Sequence, residues 1–238
     1  MATHLQIPSI PIRRHKFKAS SKAILLVLDL NGTLLDRRKN KSIIPRPGLD
    51  DFLSFIFENF AVMIWSSSRE ENVNKMVTKA FGPQKDNLIA IWDRRFCELL
   101  GNYHDNSKSK KNISSIWDIN RIPKPKVKGS QIKSFPSSTY SKIVSSRKKW
   151  NLQNTILIDD SPFKASNNPG NFIPIKTFDK KIADTDSELS RLTIYLKKLL
   201  EYFSGSASEI GSISRPGLSL NTRPDVREYI SKNAFLEI

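Results

Sequence analysis

This 238-residue chain has one cysteine, three widely separated histidines and no long apolar run. A single cysteine, Cys97, excludes an intrachain disulfide and fits a reducing compartment. We expect Cys97 to be a small buried residue rather than a nucleophile. The histidines do not form a metal-binding cluster, and no segment approaches the ~20 apolar residues of a membrane span. An intracellular protein, nuclear or cytoplasmic rather than mitochondrial, is therefore expected.

Acidic residues are also few for the number of basic ones. The chain has 39 Lys and Arg residues against 23 Asp and Glu residues, which gives a net charge of +16 at pH 7. Such a charge favours a phosphorylated peptide, nucleic acid or an anionic membrane surface as partner. The alternative is a solvated basic surface that only keeps the protein soluble. Residues 1–21 are basic and contain two prolines, so we expect a disordered leader, with some character of a mitochondrial presequence.

The chain is organised around a short apolar run that ends in a carboxylate. Ile24–Leu28 is uninterrupted and apolar, Asp29 follows it, and the turn pair Asn31-Gly32 comes after Leu30. An apolar run bounded by turn residues predicts a strand buried on both faces, as in parallel sheets. Asp29 would then lie at the edge where open α/β sheets bind ligands. A β-hairpin over Leu28–Leu35 with Asn-Gly as its turn is the alternative.

Helices and strands alternate after this run. The segments are a helix over 49–58, a strand over 61–65, a second helix and a strand over 88–92. Ser68 and Glu71 form a capping-box pattern at the start of the second helix, which stops at Gly82-Pro83. This order predicts an α/β domain with a doubly wound, Rossmann-like parallel sheet.

The second half of the predicted domain contains a basic insertion. Residues 93–135 break the alternation and are rich in lysine, so we expect an insertion over the ligand-binding edge of the sheet, or alternatively an ordinary loop. The segments after it are a short helix over 141–150, strands over 155–158 and 172–175, and a helix over 186–203. The domain therefore spans 22–203. Residues 204–238 are predicted to form a Ser- and Gly-rich mobile tail with at most one docked piece, 229–238.

Polar residues at or near the ends of several predicted strands are candidates for a site. They are Asp29, Asn31, Ser66, Lys142, Asp159 and Asp160. Parallel strands end on one side of a sheet, so these residues can converge. The set suits phosphoryl transfer through an aspartyl phosphate, with Asp29 as the nucleophile. Mg2+ prefers oxygen ligands, which Asp29, Asp160 (or Asp159) and the backbone carbonyl of Asn31 would supply.

Four segments together carry a family resemblance. Asp29-Leu30-Asn31-Gly32-Thr33 resembles the nucleophile motif Asp-x-Asp-Gly-Thr of the haloacid dehalogenase (HAD) superfamily. Trp65-Ser66-Ser67-Ser68 is similar to its second motif, and Lys142 stands 17 positions before Asp159, near the spacing of the family lysine. Residues 156–162 (ILIDDSP) are similar to its last motif. In this order over residues 22–203, the motifs resemble the branch that contains the RNA polymerase II C-terminal-domain phosphatases and small-domain phosphatases.

The resemblance implies a HAD-like fold and a Mg2+-dependent phosphoric monoester hydrolase that acts on phosphoserine or phosphothreonine in a protein substrate. It implies catalytic roles for Asp29, Asn31 and Lys142, phosphate binding by Ser66, Ser67 and Lys142, and metal binding by Asp29, Asn31, Asp159 and Asp160. In these roles Ser66 would donate a hydrogen bond to a phosphate oxygen, and Lys142 would neutralise charge on the transferring group.

Asn31 departs from the family motif, whose second aspartate is the general acid and base. An amide cannot exchange a proton in this way at neutral pH, and acid–base catalysis typically contributes ~10²–10⁴-fold in rate. The chain is then a slow phosphatase, or one assisted by another group such as Asp36. The alternative is a catalytically inactive module that binds phosphopeptide or protein, similar to relatives in mitochondrial protein import. Nucleic-acid binding by the lysine-rich insertion is a further hypothesis.

Overall fold

The computed structural model of the protein describes residues 23–38, 42–103, 107–118, 149–209 and 224–235, and a five-stranded parallel sheet lies at its centre. The strands within these residues are β1 (Leu25–Leu28), β2 (Leu35–Arg37), β3 (Ile43–Pro45), β4 (Ala61–Trp65), β5 (Ala90–Trp92), β6 (Glu98–Leu99), β7 (Ser109–Lys110), β8 (Thr155–Asp159) and β9 (Phe172–Pro174). The helices are α1 (Leu49–Asn59), α2 (Glu70–Phe81), α3 (Glu188–Glu209) and α4 (Val226–Lys232). The central sheet has the order β5-β4-β1-β8-β9 with every neighbouring pair parallel, so the predicted α/β fold is confirmed.

The central strand of the sheet is β1, and it is buried on both faces. Leu26 and Leu28 pack into one apolar layer, while Leu25 and Val27 pack into the layer on the opposite face. A strand covered on both sides needs apolar residues at every position, which is why Ile24–Leu28 does not alternate with polar residues. The hairpin alternative is wrong, because β2 pairs antiparallel with β3 and not with β1.

The two faces of the sheet are covered differently. The four α-helices of the described ranges all bury side chains in the layer that contains Leu26 and Leu28. The opposite layer contains an aromatic cluster, in which Trp65 and Trp92 meet edge to face and Phe96 stacks on Trp92 at 4.6 Å. Cys97 is buried beside this cluster and is only 1% exposed, so its predicted burial is confirmed. The aromatic cluster thereby draws the chain after β5 onto the sheet close to its carboxyl edge.

The ends of the first two helices are set by the loops around them. Predicted helix 49–58 is confirmed as α1, with Asp50 and Asp51 in its first turn, where carboxylates complement the helix dipole. The capping box predicted from Ser68 and Glu71 is wrong, since the N-cap of α2 is Arg69 and its side chain makes no capping hydrogen bond. Ser68 belongs instead to the loop after β4, where its N–H donates to Ser66 Oγ.

The carboxyl-terminal part of the chain differs from the prediction. The helix predicted over 186–203 continues as α3 to Glu209, so the predicted boundary at residue 203 falls inside a helix. The docked piece begins with α4 at Val226 rather than at Tyr229, and it buries Val226, Tyr229 and Phe235 in the core. Tyr195 of α3 contacts both aromatic rings edge to face and donates a hydrogen bond to the Asn233 carbonyl at 2.8 Å. These contacts hold α4 against α3.

Several predictions concern residues outside the described ranges. These are the leader over 1–21, residues 141–148 of the short helix predicted over 141–150, which include Lys142, residues 104–106 and 119–135 of the insertion, and residues 210–223 and 236–238 of the predicted tail. Within the ranges that are described, no helix combines the length and the apolar composition needed to span a bilayer.

Candidate active site

Three carboxylates meet at the carboxyl edge of the central sheet. Asp29 follows β1 directly, Asp159 is the last residue of β8, and Asp160 comes next. The register of the two parallel strands pairs Leu28 with Ile158 and therefore places Asp29 beside Asp159. One oxygen from each of the three carboxylates lies within 4.8 Å of the others. The predicted convergence of residues about 130 positions apart is therefore a feature of the folded chain.

Two lysines lie among these carboxylates. The Lys111 ammonium is 3.0 Å from Asp29 Oδ1 and 2.6 Å from Asp159 Oδ2, and its side chain is fully buried. The Lys164 ammonium is 2.9 Å from Asp29 Oδ2, 3.0 Å from Asp159 Oδ1 and 3.5 Å from Asp160 Oδ1, with 17% of its side chain exposed. With all five groups ionised, the cluster carries one net negative charge.

A short hairpin positions Lys111. Strands β6 and β7 pair antiparallel, and Lys111 follows β7 directly. The Lys111 N–H donates to the Lys164 carbonyl at 2.7 Å, which ties the hairpin to the turn after β8. The Glu98 carboxylate accepts hydrogen bonds from the side-chain amides of Asn112 and Asn167 at 2.9 and 2.7 Å, so the same two segments are held a second time.

The spacing of the family motifs did not identify two residues of the site, Lys111 and Lys164. The family spacing pointed to Lys142, which lies outside the described residues, whereas Lys111 is 48 positions before Asp159. Lys164 could have been noticed in the sequence, because it stands four positions after Asp160 and just past the last motif. The sequence pattern pointed only weakly to Lys111. The apolar residues Ile113 and Ile116 show that the chain returns to the core just after a lysine-rich stretch.

The pKa values of the two buried carboxyls are shifted in opposite directions. Burial raises the pKa of Asp29, but Lys111 and Lys164 outweigh it and lower the pKa to about 2. Burial and the neighbouring Asp29 charge raise the pKa of Asp159 to about 6, against the two lysines. Burial opposes the charge of Lys164, yet Asp29, Asp159 and Asp160 raise its pKa above the ordinary value. At neutral pH the Asp29 carboxylate is therefore ionised and flanked by cations.

Thr177 holds the Asp160 carboxylate in place, and Gly32 leaves room for it. The Thr177 hydroxyl donates to Asp160 Oδ2 at 3.0 Å. Gly32 has a φ of 85°, and a Cβ built on it would overlap Asp160 Oδ2. Glycine is therefore needed here both for its backbone conformation and for the close approach of the carboxylate.

Asn31 has a structural contact that the sequence did not reveal. Its side-chain oxygen accepts a hydrogen bond from the Arg37 backbone N–H at 2.6 Å, and the residue is exposed. The amide therefore closes the turn between β1 and β2. Its catalytic role and the use of its backbone carbonyl as a metal ligand stay predictions.

The serine pair follows β4, which lies beside β1 in the sheet. Because Leu28 pairs with Ile64, Ser66 lies at the same sheet edge as Asp29. Ser66 is buried, its N–H donates to the Trp92 carbonyl, and its hydroxyl oxygen accepts from Ser68 N–H at 3.3 Å. The Ser67 carbonyl accepts from the Arg94 guanidinium. Phosphate binding by Ser66 and Ser67 stays a prediction that their position allows.

The carboxylates fit a hard divalent cation. Mg2+ is bound in proteins by carboxylate and carbonyl oxygens, and Asp29, Asp159 and Asp160 supply three of them within reach of one another. Asp29 Oδ1 is buried and accepts no hydrogen bond from the described residues, although the Lys111 ammonium is 3.0 Å away. This oxygen therefore already lies beside one cation, the Lys111 ammonium. Burial raises the pKa of the Cys97 thiol to about 11, which removes it from consideration as a nucleophile or a thiolate ligand.

Several known proteins are similar to this chain in sequence. The chain matches the profile of the NLI interacting factor-like phosphatase family over residues 24–206. It is 36% identical over 197 residues to an uncharacterized FCP1 homology domain-containing protein of Schizosaccharomyces pombe, which covers 76% of this chain and 73% of that protein. A ubiquitin-like domain-containing CTD phosphatase of Arabidopsis thaliana is 28% identical over 184 residues, which is 74% of this chain and 46% of that protein. The chain thus spans about half the length of the plant relative.

Two solved structures share the fold. One is the fission yeast RNA polymerase II CTD phosphatase Fcp1-R271A bound to beryllium fluoride, with a TM-score of 0.56 and 13% identity over 89% of this chain and 70% of that one. The other is Fcp1, described as an essential RNA polymerase II CTD phosphatase, with a TM-score of 0.53 and 14% identity over the same shares of the two chains. The family profile extends from β1 into α3 and includes all three carboxylates of the site. The chain therefore belongs to the NLI interacting factor-like phosphatases, within the CTD-phosphatase branch of the HAD superfamily.

Proposed function

We propose that this protein is a Mg2+-dependent phosphatase that acts on phosphoserine or phosphothreonine in another protein, through an aspartyl phosphate on Asp29. The observation that carries the proposal is the position of Asp29 at the end of β1, beside Asp159 and Asp160 and between two lysines. The family match supports a phosphatase activity of this general class.

The nucleophile has the charge that this reaction needs. The pKa of Asp29 is held at about 2, so its carboxylate is ionised at neutral pH. An Asp29 oxygen forms a bond to phosphorus while the bond from phosphorus to the serine or threonine oxygen breaks, and that oxygen takes up a proton. Water then attacks the phosphorus of the acyl phosphate, which releases inorganic phosphate and restores the Asp29 carboxylate.

The other residues of the site stabilise charge. Lys111 keeps Asp29 and Asp159 close together, and its buried ammonium can attract the oxygens of a phosphoryl group on Asp29. Ser66 can donate its hydroxyl proton to a phosphate oxygen from the next strand. A Mg2+ ion held by Asp29, Asp159 and Asp160 would supply further positive charge to the transferring group.

Asn31 limits the reaction at the leaving oxygen. Its side-chain oxygen is occupied by the Arg37 N–H, and an amide has no proton to give at neutral pH. The rate at which the bond from phosphorus to the leaving oxygen breaks then depends on the basicity of that oxygen. Aryl phosphates should therefore be hydrolysed faster than phosphoserine peptides.

The second candidate function is phosphopeptide or protein binding without turnover. It is favoured by the same substitution, because the amide of Asn31 holds the turn after β1 and does not supply acid catalysis. The lysines and the serine pair would still attract a phosphate group, and the Asp29 carboxylate would not react.

The test is hydrolysis of p-nitrophenyl phosphate by the full chain with added Mg2+. We expect activity in the wild type and background rates in Asp29→Asn. Asp51→Asn, which changes an exposed carboxylate on α1, is the matched control and should retain full activity. Equal inactivity of the wild type and Asp29→Asn, with phosphopeptide binding preserved in both, would favour the binding module.

A further inference from the structure

The Lys164 ammonium contacts the three carboxylates that are the candidate metal ligands. Its ammonium lies 2.9, 3.0 and 3.5 Å from one oxygen each of Asp29, Asp159 and Asp160. These are the same three residues whose carboxylate oxygens converge within 4.8 Å. The ammonium therefore lies where a divalent ion would contact all three carboxylates.

Lys111 does not share this arrangement. It contacts Asp29 and Asp159 from their other oxygens, and its fully buried side chain leaves it no path toward solvent. Lys164 keeps 17% of its side chain exposed, so its side chain borders solvent. Of the two lysines, Lys164 is the one that can leave while the carboxylates stay in position.

The backbone around Lys164 is held by hydrogen bonds that do not involve its side chain. The Lys164 N–H donates to the Ser161 carbonyl at 3.0 Å, and its carbonyl accepts from the Lys111 N–H at 2.7 Å. Lysine carries its charge on a flexible four-carbon chain, so the ammonium can move several ångströms without a change in the turn. A displaced Lys164 therefore remains tethered beside the site.

We propose that Lys164 is a tethered competitor of the divalent cation: its ammonium occupies the metal position and must move outward when the metal binds. This inference rests on the proposed function, because it presumes that the carboxylates hold Mg2+. A monovalent and a divalent cation cannot share the centre of the same three carboxylates, since they repel each other strongly at such distances. Lys164 thus weakens the apparent affinity for metal and keeps the carboxylates together before metal binds.

The test is calorimetric titration of Mg2+ into the full chain and into Lys164→Gln, with Mn2+ binding followed by electron paramagnetic resonance as a second readout. Removing a cation from contact with the carboxylates should tighten metal binding by about tenfold or more, comparable to the effect of one close charge on a carboxyl pKa. Lys110→Gln is the matched control. It removes a nearby positive charge that lies over the Phe163 ring and not at the carboxylates, so its metal affinity should stay close to that of the wild type.

A measurement of thermal stability distinguishes a change in metal binding from misfolding of the variant. Without metal, Lys164→Gln should have a lower Tm than the wild type, because three carboxylates then face Lys111 alone. Added Mg2+ should raise the Tm of Lys164→Gln more than that of the wild type, because tighter binding stabilises the folded state more.

The outcomes separate this inference from the proposed function. Equal or weaker metal binding by Lys164→Gln, with clear binding by the wild type, would overturn the competition and leave the metal-dependent phosphatase intact. Absence of metal binding in both proteins would overturn the competition and the proposed metal dependence together.

Discussion

At the scale of single residues, the site depends on two neighbours in the turn after β1. Asn31 closes this turn through its 2.6 Å contact with the Arg37 N–H, and Gly32 allows Asp160 to approach the backbone. Asn31 therefore holds the turn after β1, and Gly32 sets the position of a carboxylate.

Replacing Asn31 with Asp should raise the turnover of alkyl phosphates. An aspartate can still accept the hydrogen bond from Arg37 N–H, so the turn is preserved, and it restores a group that can exchange a proton. We expect kcat for a phosphoserine peptide to rise by ~10²–10⁴-fold, with a smaller gain for aryl phosphates. Asn72→Asp is the control, since Asn72 accepts a hydrogen bond from the Arg37 side chain and lies outside the turn. An unchanged kcat in an otherwise active Asn31→Asp protein would point to another acid, such as Asp36.

Replacing Gly32 with Ala should destabilise the protein and damage the site. The new Cβ would overlap Asp160 Oδ2, and a non-glycine residue at a φ of 85° is strained. Residues held in such backbone regions typically cost about 1–3 kcal/mol in the free energy of unfolding, which urea denaturation measures. Gly205→Ala in α3 is the control, because its Cβ would meet nothing within 4 Å and alanine favours helix. Equal stability of Gly32→Ala and the wild type would show that Asp160 does not approach so closely.

At the scale of elements, buried arginines fasten the loops at the carboxyl edge of the sheet. Arg94 donates to the carbonyls of Ser67, Tyr103 and Ser107, which joins the loop after β4 to the segment between β6 and β7. Arg46 donates to the Thr33 carbonyl. Pairing of the strands brings the carboxylates together, whereas these arginines hold the loops that surround the carboxylates.

Replacing Arg46 with Met should be strongly destabilising. Arg46 is fully buried and makes a two-pronged ion pair with Asp186 at 2.8 and 2.7 Å, so its loss leaves the Asp186 carboxylate buried without its cation. Breaking a buried pair in this way typically costs about 3–5 kcal/mol in the free energy of unfolding. Lys232→Met breaks the exposed pair with Glu228 and should leave the unfolding midpoint nearly unchanged. Comparable losses in the free energy of unfolding of the two variants would contradict the larger contribution expected of the buried pair between Arg46 and Asp186.

At the scale of the whole molecule, the net charge of +16 is not located in the carboxylate cluster. That cluster carries one net negative charge when Asp29, Asp159, Asp160, Lys111 and Lys164 are all ionised. The basic character therefore belongs to the rest of the chain, where it can attract an acidic phosphorylated partner before the phosphate reaches Asp29.

Binding of an acidic phosphopeptide should consequently weaken as salt is added. We expect the affinity of Asp29→Asn for such a peptide, measured by fluorescence anisotropy, to fall between about 50 and 200 mM salt because the added ions screen the basic surface. A phosphopeptide without acidic neighbours is the control and should show a smaller fall. A flat response would leave only a solvated basic surface, and a far steeper response with duplex DNA would favour the nucleic-acid hypothesis.

Local sequence patterns were enough to predict the central architecture and all three carboxylates of the site. An apolar run such as Ile24–Leu28 is a local property, and a strand of this kind is stable only when both of its faces are covered. Asp29 follows β1 directly and Asp159 and Asp160 lie at the end of β8, so parallel pairing alone brings them to one edge. For the same reason α1 and the end of α2 at Gly82 could be predicted from residues that are neighbours in the chain.

The folded structure was needed to show which lysines join those carboxylates. Lys111 reaches the site because a hairpin folds back on the turn after β8, and motif spacing does not encode that contact. The docking of α4 also escaped the sequence pattern, because Tyr229 and Phe235 gain their meaning only against Tyr195 of α3. Local patterns specify which segments become strands and helices, whereas contacts between loops distant in the chain depend on how the whole core packs.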